Sequence, residues 1–564
     1  MWVVIDFETA SACDLKKSGA WRYAEDLTTE VLGLSYETNS GYKGDWEPGS
    51  GDRFLYALAS SSDCMFIAHG AQFEKAIWRH IMVPEFGFPD VPNRRWHDTL
   101  AVCAYKALPL ELEHVLQVLG IATQKDMEGR KITLGMSKAN KAGYYDRSDE
   151  KRRRSALYRA QDVSAEVALH KTIGWLPPSE RNVWLLNQRV NERGLRLDME
   201  FVRAAQKIVD DASGPLLAEF AAITGGLKPS QGAKFLAWLG SNGTILPNLT
   251  KETVAAAIGS DEDDEGEHFR DIKLSSSVSR SLRIRQLVGS ASIKKLKRME
   301  MCVSADGRAR GLSQYHGTTP GRAAGRLLQP YNFPRGTLKI DYGDGKVKAP
   351  PPQLVVDAIM TGDHSYVEQT IGPAVETIVS SLRHVLVPDP GRVFISGDYA
   401  GIQARVTLAL AGQHDKTALM ASGADVYCDM AEQIYKRPIT KDNLAERQTG
   451  KNSVLGLGFQ MGWAKFKDKY AKYETDEFCQ NVVRVYRKDW APKVPYLWYG
   501  LSDAAVKTVH ARQPHDAYGI EYRLEAGALT CRLPSGRKIW YQHPKATTEL
   551  MPWLEDGEEV YRPG

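Results

Sequence analysis

Asp6 and Glu8 stand two residues apart at the end of the apolar run Val3-Val4-Ile5. In a strand, a period of two puts both carboxylates on one face. A second apolar run, Cys64 to Ala68, leads through His69 to Phe73-Glu74, and further along Tyr158 and Asp162 are four apart. On a helix that spacing places phenol and carboxylate on one face. Four acids and a tyrosine brought together by a fold suit phosphodiester hydrolysis with two divalent cations about 3.5–4 Å apart, the tyrosine hydroxyl orienting the attacking water. Singly, Asp6 reads equally well as a strand-end turn residue, Glu74 as an acid at a helix N-terminus and Asp162 as a solvent-facing helix residue.

A second set lies in the C-terminal third. Asp398 closes the run Arg392 to Gly397 and precedes Tyr399, whose backbone carbonyl can share a metal with it. Arg447, Lys451, Leu455 and Phe459 follow at four-residue intervals, which on a helix forms one stripe of two cations, an aliphatic and an aromatic. Two cations suit a triphosphate, and Phe459 suits packing near a base. Gly450, Gly456, Gly458 and Gly462 crowd the same stretch; each costs about 1 kcal/mol relative to alanine within a helix, so their density predicts close approach or bending. A phosphate-binding loop at Gly450-Lys451 is excluded by Asn452 and Ala445, and the later glycines miss the Gly-x-Gly-x-x-Gly spacing. Upstream, Thr319-Pro320-Gly321-Arg322 and Gln329 to Arg335 offer arginines and amides suited to a duplex backbone or minor groove.

The elements that must position these groups follow from patterning. Residues 1–175 alternate short apolar strands with helical stretches, including a helix over Ser155–Leu169, an α/β pattern. From Glu180 to about Met301 the chain reads as an extended helical arm, with Asn191 to Gly194 as a helix end. The acidic run Asp261 to Glu265 lacks calcium-loop spacing and reads as a solvated loop. Pro388-Asp389-Pro390-Gly391 predicts a turn opening a strand over Arg392–Asp398, followed by a helix from Ile402. A further helix is predicted over Arg447–Phe459 and a hairpin turn at Leu533-Pro534-Ser535-Gly536-Arg537.

The chain has 564 residues, enough for three or four domains at roughly 150 residues each. With 43% apolar and 25% charged residues it has the composition of a folded globular protein. Lys and Arg exceed Asp and Glu by 73 − 69 = 4, so only local runs such as Lys151 to Arg154 and Lys294 to Arg298 point to an anionic partner. The seven cysteines are scattered without a Cys-x-x-Cys pair, against structural zinc or a disulfide framework. The N-terminus meets Asp6 too early for a signal peptide, and no apolar run of about 18 residues occurs, so a soluble cytoplasmic protein is expected.

Taken in order, Asp-Phe-Glu-Thr at 6–9, His-x-x-x-Phe-Glu at 69–74 and Tyr-x-x-x-Asp at 158–162 resemble the three motifs of the DEDDy 3′–5′ exonucleases. Glu74 stands where many relatives have Asp and Gly70 where Asn is usual; His97-Asp98-Thr99 looks like a further segment of that domain without a ligand. Behind it, the Thr-x-Gly-Arg segment, Asp398-Tyr399-x-x-Ile402 and the Arg-x-x-x-Lys helix resemble, in order, a family A DNA polymerase of the bacteriophage type.

The resemblance implies a multidomain α/β and α fold: a ribonuclease-H-like exonuclease domain (1–175), then a right-hand polymerase with helical thumb (176–315), palm (316–415), fingers (416–500) and a fingers/palm return (501–564). It implies that Asp6, Glu8, Glu74 and Asp162 hold Mg²⁺, with Mn²⁺ as a substitute, and that Tyr158 joins them in catalysis. Asp398 and the Tyr399 carbonyl would hold metal at the second site, Arg447 and Lys451 would contact nucleotide phosphates, with Lys451 protonating departing pyrophosphate, and Arg322 would touch the primer terminus. Gln403 replaces the family's sugar-sensing glutamate, Leu455 an aromatic and Phe459 a tyrosine, which puts sugar selection in doubt. No His-Asp pair follows the Leu-Pro-Ser-Gly-Arg turn, and His515-Asp516 precedes it, so the palm is expected to lack its C-terminal portion and its second aspartate. Glu549, Glu555 and Asp556 are the alternative acids. The expected partners are primer-template DNA, single-stranded 3′ ends and deoxynucleoside triphosphates, in the host cytoplasm if the gene is a phage's. Two rivals to a polymerase with proofreading remain: an exonuclease whose polymerase module only binds primer-template, and one piece of a split polymerase completed by a companion polypeptide.

Overall fold

Val3, Val4 and Ile5 are fully buried and form the middle of β1 (Trp2–Ala10), the central strand of a five-stranded sheet. The other strands are β2 (Glu30–Thr38), β3 (Lys43–Trp46), β4 (Met65–Ala68) and β5 (Trp96–Asp98), in the order β3-β2-β1-β4-β5. Pairing is antiparallel from β1 to β2 and β2 to β3, and parallel from β1 to β4 and β4 to β5. The β1–β2 register shifts between Glu8 and Thr9, a bulge just beyond the second acid. The computed structural model describes residues 1–563 apart from 124–125, 138–144, 146, 259–273, 290, 335, 337, 342–346 and 551–558. The acidic run at 261–265, Arg335, Glu555 and Asp556 therefore lie outside the described residues.

The helix expected over Ser155–Leu169 runs from Asp149 to Ile173. Ser148 caps it by accepting from the Lys151 amide, and Gly174, at φ +69°, stops it. Val163 and Val167 pack it on Val4 and Ile67 of the sheet. Its buried Arg159 donates to Asp45 at 2.9 Å and passes directly over β2: a Cβ on Gly33 would lie 2.4 Å from the guanidinium.

The expected helical arm is present. Helices span Pro178–Arg193, Met199–Thr224, Gly232–Ser241, Lys251–Ile258, Ser276–Val288 and Ala291–Cys302. Arg193 ends the first of these, followed by Gly194 at φ +65°. Phe220, Phe235, Leu239 and Leu282 form one core of this arm, and Phe201, Ile208, Leu296 and Ile378 belong to another. Both basic runs are largely tied to the protein: Arg154 pairs with Asp126, Lys297 with Asp210, and Arg298 donates to the Lys16 carbonyl. All seven cysteines are free thiols. No helix of the described residues is long and apolar enough to cross a membrane.

The chain divides into two units, one ending at Val393 and the other built on Phe394–Gly564. The division falls inside the stretch 316–415 expected as a palm. The strand expected at Arg392–Asp398 is not formed: residues 391–400 are all exposed and carry no ladder, with Ile395 95% exposed. The β-branched and aromatic composition is right for a strand, but a strand exists only against a neighbour, and no described strand lies beside it.

The second unit is helical around Leu408, Met430, Leu457, Phe466 and Trp490, with helices at Ile402–Leu410, Val426–Tyr435 and Leu444–Leu457 among others. A four-stranded antiparallel sheet follows, over His515–Ala517, Ile520–Glu525, Ala528–Arg532 and Lys538–Gln542. The last two strands are joined by the expected Leu533–Arg537 turn, closed by the Leu533 amide donating to the Arg537 carbonyl at 2.8 Å. Beyond it, Ala546–Leu550 pairs antiparallel with Glu559–Pro563. A strand pair thus follows the turn, and its strands carry neither His nor Asp.

Candidate active sites

In the first unit, Asp6 and Glu8 are half-buried on β1 and alternate with buried Ile5 and Phe7, so the period of two holds. Glu74 lies in the first turn of the helix Gln72–Ile77 and is 5% exposed. Burial, then repulsion from Asp6, Glu166 and Asp98, pushes its carboxyl well above the usual range. Its Oε2 is buried without a hydrogen-bond partner. Tyr158 and Asp162 share a buried helix face and a hydrogen bond; burial, Asp162, Glu8 and Asp6 all raise the phenol, so it keeps its proton. The structure therefore brings Asp6, Glu8, Glu74, Tyr158 and Asp162 within electrostatic reach of one another, from three separated segments.

Among the described residues, no three His, Cys, Asp or Glu side chains stand converged as a metal-binding set. The chemistry nonetheless fits a hard dication: the donors are carboxylate oxygens, they repel one another, and one buried oxygen lacks any donor.

The second-motif loop is held from behind. Asp98 Oδ1 accepts from the Gly70 amide at 2.9 Å and from the Leu100 amide at 3.0 Å, capping the helix Thr99–Tyr105. Gly70, at φ +91°, sits in backbone that favours glycine. His97 packs against His170 and Trp175. The residue missed by sequence reasoning is Glu166, buried at 3% exposure, whose carboxyl is raised by burial and then by Asp6. Its signal was the continuation of the stripe: Tyr158, Asp162 and Glu166 are successive i, i+4 positions.

In the second unit, the helix Leu444–Leu457 is three residues longer at its start and two shorter at its end than expected, so Phe459 lies beyond it. Gly450 is where this helix meets Val426–Tyr435: a Cβ there would lie 2.1 Å from the Tyr427 carbonyl oxygen. Gly456 is also crowded, by Met461 and Tyr470, whereas Gly462 faces open space. Gly450→Ala should lower unfolding stability by about 1–3 kcal/mol, because the contacted atom is backbone and overpacking outweighs the gain in helix propensity. Chemical denaturation of the variant measures this; unchanged stability would mean that the two helices need no such contact.

Arg447 is not free to meet an anion as it stands: its Nε donates to Asp425 Oδ2 at 2.7 Å, and its guanidinium lies over Tyr427. Asp425 is itself the cap of the helix Val426–Tyr435. Lys451, half-buried one turn on, has no ion pair among the described residues. Gln403, Leu455 and Phe459 come together around one hollow of about 10 Å³, with Phe459 60% exposed at its edge. Asp398 and Tyr399 are exposed on the unpaired segment. One carboxylate there is too small a ligand set for two cations. Asp516 is exposed, and His515 lies within hydrogen-bond distance of the Gln513 carbonyl. In the first unit, Arg322 is exposed beside the turn at Thr318–Gly321.

No family model matches the sequence. Among curated proteins, the chain is 29% identical to a DNA polymerase of Bacillus phage SP02, over 96% of this chain and 82% of the relative. Among solved structures it is similar to the POL domain of Pol1 from M. smegmatis in complex with DNA primer-template and dNTP. That match has a TM-score of 0.53 and 11% identity and covers 95% of this chain and 78% of the other, a likeness of fold. The chain is thus similar over nearly its whole length to a phage DNA polymerase, and its mixed α/β fold is similar to that of a polymerase domain.

Proposed function

We propose that this chain extends DNA primers on a template and hydrolyses mispaired 3′ ends. The N-terminal domain, of ribonuclease-H-like type, would be the exonuclease. The observation that supports the hydrolytic half is the electrostatic coupling of Glu74 to Asp6 and of Tyr158 to Asp162, Glu8 and Asp6. The synthetic half is supported by the similarity to the phage enzyme and by the Arg447–Lys451 helix lying against Gln403. The domain limits are 1–175 for the exonuclease, 176–315 for the thumb, 316–415 for the palm, 416–500 for the fingers and 501–564 for the return.

At the exonuclease site, Asp6, Glu8, Glu74 and Asp162 would hold Mg²⁺ or Mn²⁺, which supplies charge neutralisation and a more acidic water. Tyr158 retains its proton and orients the attacking water through its hydroxyl. At the synthetic site, Arg447 exchanges Asp425 for a nucleotide phosphate, an exchange of one anionic partner for another. Lys451, uncommitted, donates to the departing pyrophosphate. Arg322 touches the primer terminus, and Gln403 faces the sugar as a neutral amide. DNA, its 3′ ends and deoxynucleoside triphosphates are the partners, in the cytoplasm of the host.

The test is primer extension by the chain with Asp6→Ala and Asp162→Ala, so that degradation cannot mask synthesis. Extension supports the reading. Binding without extension favours a module that only holds primer-template, and extension only on adding a second polypeptide favours a split enzyme. The exposed, unladdered segment that carries Asp398 is the observation that keeps these two outcomes in view.

A further inference from the structure

Four hydrogen-bonding groups behind the exonuclease carboxylates fix one another's protons. Thr99 Oγ1 lies 2.9 Å from His69 Nδ1 and 3.2 Å from Glu166 Oε1, while His69 Nε2 lies 2.8 Å from the Leu110 carbonyl oxygen. A carbonyl only accepts, so Nε2 carries a hydrogen. The threonine hydroxyl has one hydrogen and lies farther, at 3.5 Å, from the Ala68 carbonyl oxygen; to serve its two closer partners it donates to one and accepts from the other. Only two arrangements satisfy all three bonds. In one, an imidazolium donates to Thr99, which donates to a carboxylate. In the other, the Glu166 carboxyl donates to Thr99, which donates to a neutral imidazole. Both hold a single proton between Glu166 and His69.

The surroundings choose between them. Glu166 is buried and faces the carboxylates of Asp6 on β1, Asp98 on β5 and Glu74 on the Gln72–Ile77 helix. An added negative charge there is opposed from three elements at once. Burial and those neighbours push its carboxyl well above the usual range, which supports the neutral arrangement.

We propose that Glu166 is an uncharged positioning residue that ties the Tyr158–Asp162 helix, through Thr99 and His69, to the loop that leads into Glu74. It also accepts from the His69 amide, so one side chain fixes both the end of β4 and the start of the helix after β5. It is neither a ligand nor a base. The inference rests on the exonuclease reading, which assigns Glu74 and Asp162 to the hydrolytic site.

The test compares Glu166→Gln and Glu166→Leu in the full chain, measuring 3′ hydrolysis of single-stranded DNA and the Mg²⁺ concentration for half-maximal rate. A glutamine keeps one donor and one acceptor without charge, so Glu166→Gln should hold kcat within about 3-fold and leave the Mg²⁺ requirement unchanged, whereas Glu166→Leu should lose roughly 10²-fold in kcat at unaltered KM. Thr99→Val should resemble Glu166→Leu, and the double variant should be little worse than either. A Glu166→Gln enzyme that is as impaired as the leucine variant, or needs more Mg²⁺, overturns the proposal because the residue then acts by charge. Full activity of a folded Glu166→Leu chain overturns it too. If the unaltered chain hydrolyses no 3′ ends, the exonuclease reading has failed. The tie is then judged alone by infrared difference spectroscopy, where a protonated-carboxyl stretch must disappear in Glu166→Gln, and no change refutes it.

Discussion

Changing Asp6 and Asp162 together to alanine should cut hydrolysis of single-stranded DNA from its 3′ end by ~10³-fold or more, while primer-template affinity stays within roughly two-fold. The two carboxylates come from different elements, the central strand and the long helix, so the double change removes ligands from both sides of the site without touching the sheet's core. Duplex affinity is expected to rest on phosphate contacts elsewhere. Release from a labelled strand measures the rate, and fluorescence anisotropy with primer-template measures binding. In the unaltered chain, Mg²⁺ should raise the unfolding temperature, since a ligand that binds the native carboxylates stabilises that state. The double variant should lose that response. Degradation that persists with its metal dependence intact would sink the assignment.

Lys451→Ala is expected to reduce nucleotide addition by ~10²–10³-fold and to leave 3′ hydrolysis untouched. Lys451 sits in the second unit, on a helix none of whose residues contributes to the hydrolytic site. It is a cleaner probe than Arg447, whose removal strands Asp425 without its partner and disturbs a helix cap as well as any phosphate contact. Single-turnover incorporation in the exonuclease-deficient background gives the effect on synthesis, and the Lys451→Ala change alone gives the effect on hydrolysis. Matching losses in both activities, with folding intact, would contradict two separate sites.

The carboxylate set proposed for hydrolysis was legible because its residues obey local periods. Asp6 and Glu8 share a face as strand neighbours at i and i+2, and Tyr158 and Asp162 share one as helix neighbours at i and i+4. Glu166 obeys the same period but was passed over, since the motif it extends ends at Asp162. What depends on distant partners was not legible. Asp425 claims Arg447 across 22 residues, and no local pattern announces it. The glycine cluster correctly signalled close approach, but only the packed neighbours distinguish Gly450, wedged against Tyr427, from Gly462 in open space. Arg392–Asp398 was misread for the same reason: its residue types favour a strand, yet the ladder that would make one must come from elsewhere.

That unpaired stretch also bears on how such a gene is assembled. The core clusters of the described residues draw on one side of Val393/Phe394 or the other, and Gly391–Gly397 contribute to none of them. A recombination breakpoint in the codons for those seven residues would cut through no core cluster of the described residues. Asp398 would travel with the helix it precedes, and selection could act on the two units as separately inherited parts.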